Sequence, residues 1–93
     1  ISSYQNILSI LKEGTYSKSL VEDSLYNYNK KYNTSILPLD FAKNISGYAS
    51  HLIEDGLNYD EIIAEAIHDY YLHGESSSLS SLEIIYVLKE RLL

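Results

Sequence analysis

A chain of 93 residues is enough for one domain, near the small end of the range that folds unaided. It has no cysteine, which excludes disulfides, thiolate metal sites and a cysteine nucleophile. Its net charge of −6 is unevenly placed: residues 1–43 carry five Lys against four acids, whereas the stretch from Asn44 to Leu88 carries eight carboxylates and no Lys or Arg.

The apolar spacing is helical throughout. Tyr4, Ile7, Leu8 and Leu11 fall on one face at 100° per residue, and Gly14 is placed to end that first helix. A second helix is predicted from Ser17 or Ser19 to about Tyr32, with Leu20, Val21, Leu25, Tyr28 and Tyr32 inward and Glu22, Asp23, Tyr26, Asn29 and Lys30 outward. Asn33 to Pro38 breaks it, because Pro38 has no amide proton and biases Leu37 away from helical angles. Pro38 to Asp40 opens a third helix, with Phe41, Ile45, Tyr48, Ala49 and Leu52 inward and Gly56 as its end.

The fourth helix has a capping grammar. Asn58 is the cap, Glu61 occupies the third position, and Leu57 and Ile62 have the spacing of a hydrophobic staple. Tyr59, Ile62, Ile63, Ala66, Ile67 and Tyr70 make its apolar arc, and Gly74 closes it. The fifth repeats the pattern, with Ser80 as cap, Glu83 at the third position and Leu79 with Ile84 as staple. Ile84, Ile85, Val87, Leu88 and Leu92 then face inward. No stretch alternates with period two. The expectation is an all-α, single-domain bundle over residues 1–93, built of four to five short antiparallel helices. No apolar run reaches the roughly 18–20 residues of a membrane span, and no basic-then-hydrophobic leader is expected from these residues, which do not begin with Met. A cytoplasmic protein is expected.

Specific chemistries fare poorly. Glu65 and His68 have the spacing used in two-iron bundles, but such sites need a second pair and inward orientation, and these residues lie opposite their helix's apolar arc. No metal or cofactor is expected. No nucleophile elbow or glycine-rich phosphate loop organises the Ser, Asp and His residues, so the chain does not read as an enzyme. Phosphate contact needs an excess of Lys and Arg, and Lys30-Lys31 is the best cluster, so the charge disfavours nucleic acid.

What remains is acid beside tyrosine. Tyr supplies ten of the eleven aromatic residues, and its hydroxyl keeps it at the margin of a core or on the surface. Glu61, Glu65 and Asp69 line the outer side of the fourth helix, with Leu72 exposed beside them and Tyr71 at the edge of the apolar arc. Glu83 and Tyr86 form a second group on the fifth helix. Tyr anchors among charges are residue types of interaction hot spots, although acidic helix faces are also commonly just solvated.

The run Asp69-Tyr70-Tyr71, followed by a polar loop and a helix with Ile84 and Val87, locally resembles the immunity proteins of nuclease bacteriocins. The likeness covers about a quarter of the chain. It implies a small acidic helical bundle that binds a basic toxin through carboxylates beside paired tyrosines. This sequence departs from that family in placing the tyrosines at the end of a long helix rather than on a very short one. The acidic half free of Lys and Arg, with its interleaved Tyr, makes the expected function an inhibitor of the immunity, antitoxin or anti-defence kind, directed at a basic protein partner. The alternative is a structural or adaptor module that self-associates, as a homodimer, through the apolar C-terminal helix.

Overall fold

A computed structural model describes residues 15–46, 52–53 and 56–92, and the fold they form is all-α. The predicted first helix, from Tyr4 to Gly14, lies outside the described residues. Helix α1 spans Thr15–Tyr32 and turns Ser17, Leu20, Val21 and Ser24 into the core. The hydroxyl of Ser24 is satisfied within the helix, donating to the Leu20 carbonyl at 2.7 Å. Asn33 ends α1 by adopting a positive φ of 54°, and Thr34 N–H reaches back to the Asn29 carbonyl at 2.9 Å. That bond is the signature of a Schellman cap. The Asn29 carboxamide then brackets Ile36, accepting from its N–H at 3.1 Å and donating to its carbonyl at 3.2 Å. A left-handed Asn therefore stops the helix, and the proline constraint acts one turn later.

Helix α2 (Pro38–Lys43) begins on that proline, as expected, and buries Phe41 and Ala42. Phe41 meets Tyr28 of α1 edge-on, with ring centroids 5.6 Å apart. It does not run on to Gly56. It stops at Lys43, and Leu52–Ile53 pairs antiparallel with Gly56–Leu57 as strands β1 and β2. Ile45 is half-buried as a turn residue, Leu52 is extended, and Tyr48 and Ala49 lie outside the described residues. A six-residue helix has few internal hydrogen bonds, so helical spacing alone could not carry it through this segment. The two-residue ladder is too short to add a layer to the fold.

Helix α3 (Tyr59–His73) starts where its chemistry says it should. The Asn58 carboxamide oxygen accepts from Glu61 N–H at 3.1 Å, and Asp60 and Glu61 sit at the positive end of the helix dipole. Ile62, Ile63 and Ala66 are buried, but Ile67 is turned outward. Gly74 ends the helix at φ 55° and donates its N–H to the Tyr70 carbonyl. A single 3₁₀ turn, Gly74–Ser76, leads to α4 (Leu79–Leu92).

The cap of α4 is Ser78, two residues before the expected Ser80. Ser78 Oγ accepts from Ser81 N–H at 3.1 Å, whereas Ser80 is buried with its hydroxyl unpartnered. Helix α4 is buried over most of its circumference, from Ser80 to Ile85 and again at Val87 and Leu88. It is the central element, with Leu20 and Val21 of α1, Phe41 and Ala42 of α2, and Ile62, Ile63 and Ala66 of α3 in one cluster with its Ile84, Val87 and Leu88.

Directions follow from side-chain ties. Lys31, at the end of α1, bonds Glu83 near the start of α4, and Arg91, at the end of α4, bonds Ser19 and Asp23 near the start of α1. These helices are therefore antiparallel. Ser17 donates to the Asp60 carboxylate, which puts the starts of α1 and α3 at one end, and the short turn makes α3 and α4 an antiparallel pair.

The two serines should respond oppositely to truncation. Ser78→Ala removes the cap and should cost about 1 kcal/mol. Ser80→Ala removes an unsatisfied buried hydroxyl and should be neutral or stabilising by up to about 1 kcal/mol. Urea denaturation of both variants measures this, and equal losses would contradict the cap assignment.

Candidate functional site

Two separate surfaces receive the side chains singled out from the sequence. The first is the outer face of α3. Ala64, Ile67, His68, Tyr71 and Leu72 recur at helical spacing and are all exposed, Tyr71 at 84% and Leu72 at 57%. Ile67 belongs here at 37%, not in the core, because the buried arc of α3 is only wide enough for Ile62, Ile63 and Ala66. Glu61 and Glu65, both half-buried, border this stripe one turn apart. Neither enters an ion pair among the described residues. Their charge is available to a partner.

Asp69 is also on α3, but its carboxylate is taken up by the turn into α4. One oxygen accepts from Ser78 N–H at 3.0 Å and the other meets His73 Nδ1 at 2.8 Å. Burial pushes this carboxyl up. Hydrogen bonds from the Ser81 hydroxyl, the Ser78 amide and His73 outweigh that and hold it below the ordinary carboxylate value. Asp69 thus fastens α3 to α4 rather than facing outward. Tyr70 is half-buried under Lys89, whose ammonium stands 5.0 Å from the ring centroid and donates to the hydroxyl at 3.2 Å.

The second surface holds Glu83 and Tyr86, and it differs from the expectation of an outward acidic group. Glu83 is only 4% exposed and forms a 2.7 Å ion pair with Lys31. That hydrogen bond holds the Lys31 ammonium above its ordinary value. The reason is position: with the cap at Ser78, Glu83 is the fifth residue of a helix sunk into the core and is itself buried, and a buried carboxylate needs a cation. Tyr86 is 36% exposed, with the Lys31 ammonium 5.2 Å from its ring and its hydroxyl donating to Glu75 at 3.4 Å. Together with Asn27, Lys30, Lys31, Val87 and Glu90 these two residues line a groove of about 400 Å³ between α1 and α4. Sequence spacing on α4 alone could not reveal it, because the opposing wall comes from residues more than 50 positions away.

Of the eight carboxylates in the acidic stretch, Glu54 and Asp55 lie outside the described residues. Asp60, Asp69 and Glu83 have internal partners, and Glu75 meets Tyr86. The acidic character that faces outward on α3 narrows to Glu61 and Glu65. Among the described residues no group of three or more His, Asp or Glu side chains is placed to hold a metal ion, and no helix is long and apolar enough to cross a membrane.

The Lys31–Glu83 pair should be asymmetric. Lys31→Met strands a buried carboxylate and should cost about 3 kcal/mol, while Glu83→Gln frees a half-exposed lysine to reach water and should cost under about 1 kcal/mol. Chemical denaturation of both variants decides it; the reverse order would mean that Glu83 is solvated in solution. Asp69 predicts an acid dependence. With its carboxyl lowered in the fold, its stabilisation is complete above the unfolded value of about 4 and is lost as pH falls through the lowered folded value. Asp69→Asn should flatten the fall in melting temperature below about pH 4, measured by circular dichroism, and an unchanged slope would count against this role.

Comparisons with protein-family models, with curated proteins and with solved structures give no match, so the local likeness to bacteriocin immunity proteins stands on its residues alone.

Proposed function

We propose that this chain is a small protein-binding inhibitor, of the immunity, antitoxin or anti-defence kind, that occupies a basic surface on a protein partner. The observation that carries this reading is the outer face of α3, where Tyr71 and Leu72 stand exposed beside the unpaired carboxylates of Glu61 and Glu65. An exposed phenol ring supplies contact area at small entropic cost, and flanking like charges steer an oppositely charged partner and set its orientation. Ile67 extends the apolar strip by one turn, so the surface is larger than the acid-and-tyrosine pattern implied. A cytoplasmic location belongs to the same proposal, since a toxin-neutralising protein of this kind works where its target acts.

The self-associating alternative drew on the apolar C-terminal helix. In the fold Ile84, Ile85, Val87 and Leu88 are covered within the single chain, so these four residues do not themselves support that reading. Light scattering separates the readings, with a monomer expected.

Reversing Glu61 and Glu65 to Lys should slow association with the partner by about tenfold at low salt and reduce its salt dependence, while the far-ultraviolet spectrum stays unchanged. Tyr71→Ala should instead act on dissociation. The assay is capture on immobilised chain from an extract of the source cell, followed by surface plasmon resonance with the recovered protein. Recovery of no basic protein, or of one that binds the double-reversal variant equally well, would sink the proposal.

A further inference from the structure

The groove between α1 and α4 is independent of the α3 face, and its chemistry differs. Glu83 at its floor is neutralised by Lys31, so the floor carries no net charge. Tyr86 and Val87 give one wall an apolar and aromatic character, and Asn27 contributes a carboxamide from the other. Two charged groups remain at the rim, Lys30 and Glu90, and neither enters an ion pair among the described residues.

The antiparallel register places those two charges. Lys31 is level with Glu83 and Asp23 with Arg91, so Asn27 is level with Val87, Lys30 with Ile84, and Glu90 with Ser24. The backbone positions of Lys30 and Glu90, on opposite walls, therefore stand six residues apart along the groove axis, about 9 Å at a rise of 1.5 Å per residue. An extended peptide advances about 3.3–3.6 Å per residue, so two to three residues span that distance. Tyr86 lies towards the Lys30 end and Asn27 lies midway.

We infer that the α1–α4 groove is a binding site for a short zwitterionic peptide of two to three residues. Its free carboxylate pairs with Lys30, its free ammonium pairs with Glu90, and an aromatic side chain on its last residue packs on the exposed part of Tyr86. The Asn27 carboxamide faces the peptide's central amide. The Lys31–Glu83 pair, its carboxylate buried and its lysine half-exposed, ties the two helices in the register that sets the spacing. A volume of about 400 Å³ is at the lower end for small-molecule sites and accommodates such a peptide.

The probe is alanyl-phenylalanine, titrated into the ¹⁵N-labelled chain and followed by two-dimensional NMR, beside its N-acetyl form, its C-terminal amide and the reversed dipeptide phenylalanyl-alanine. Shifts should concentrate at Asn27, Lys30, Tyr86, Val87 and Glu90, with a dissociation constant on the order of 1 mM for so small a solvent-open ligand. The three comparison peptides should each bind at least about fivefold more weakly, because one ion pair or the aromatic contact is lost. Lys30→Gln should erase the preference over the amide form, and Glu90→Gln the preference over the N-acetyl form. Both substitutions are at exposed positions, and the dispersion of the same spectra reports whether the fold is kept. Equal binding of a blocked form overturns the inference, as does an absence of groove shifts up to about ten times that dissociation constant.

Discussion

The burial of α4 is the constraint on which the rest of this structure depends. A helix covered over most of its circumference must be surrounded, so α1, α2 and α3 are arranged by what α4 requires rather than by their own pairings. Magnitudes support this order. A fully buried Ile or Leu contributes about 1.5–3 kcal/mol, and α4 brings Ile84, Val87 and Leu88 into the common cluster. The exposed Arg91–Asp23 pair contributes at most about 1 kcal/mol. Packing holds the helices together, and the charged ties choose their direction and register.

The same burial decides which charges can act outside. Glu83 entered the core with its helix and required Lys31 beside it, which removed one carboxylate from the surface and built the floor of a groove. Asp69 was drawn into the turn between α3 and α4 by the amide of Ser78. What faces outward on α3 is a short strip in which apolar contact area and negative charge are adjacent, with Tyr71 and Leu72 projecting and Glu61 and Glu65 in line with Leu72 along one margin. On the proposed reading the apolar part would supply affinity once contact is made, and the acidic margin would govern approach.

Local chemistry made much of the fold legible in advance. Asn58 caps α3, Pro38 opens α2 and Gly74 closes α3, because each acts within one or two turns of itself. The errors share a cause. The end of α2 at Lys43, the burial of Glu83 and the outward turn of Ile67 depend on neighbours distant in sequence, and helical periodicity carries no information about those. Ser78 and Ser80 are a different case. Only Ser80 is followed at capping-box spacing by an acid, Glu83, and yet Ser78 is the cap, with the Asp69 carboxylate accepting from the Ser78 amide. At the candidate site the α3 residues were found from their own helix, whereas the groove needed two helices at once.

The separation in sequence between the two walls of that groove has a kinetic meaning. Lys31 and Glu83 are 52 positions apart, and Asp23 and Arg91 are 68 apart. A chain that joins its central helix to its first described helix across such spans must close long loops before either contact rewards it, and the cost of closure rises with span. The α3–α4 hairpin, whose members meet across a five-residue connection, escapes that search. The topology therefore implies that the hairpin assembles early and that docking of α1 limits the rate, giving slower folding than bundles built only from sequential neighbours.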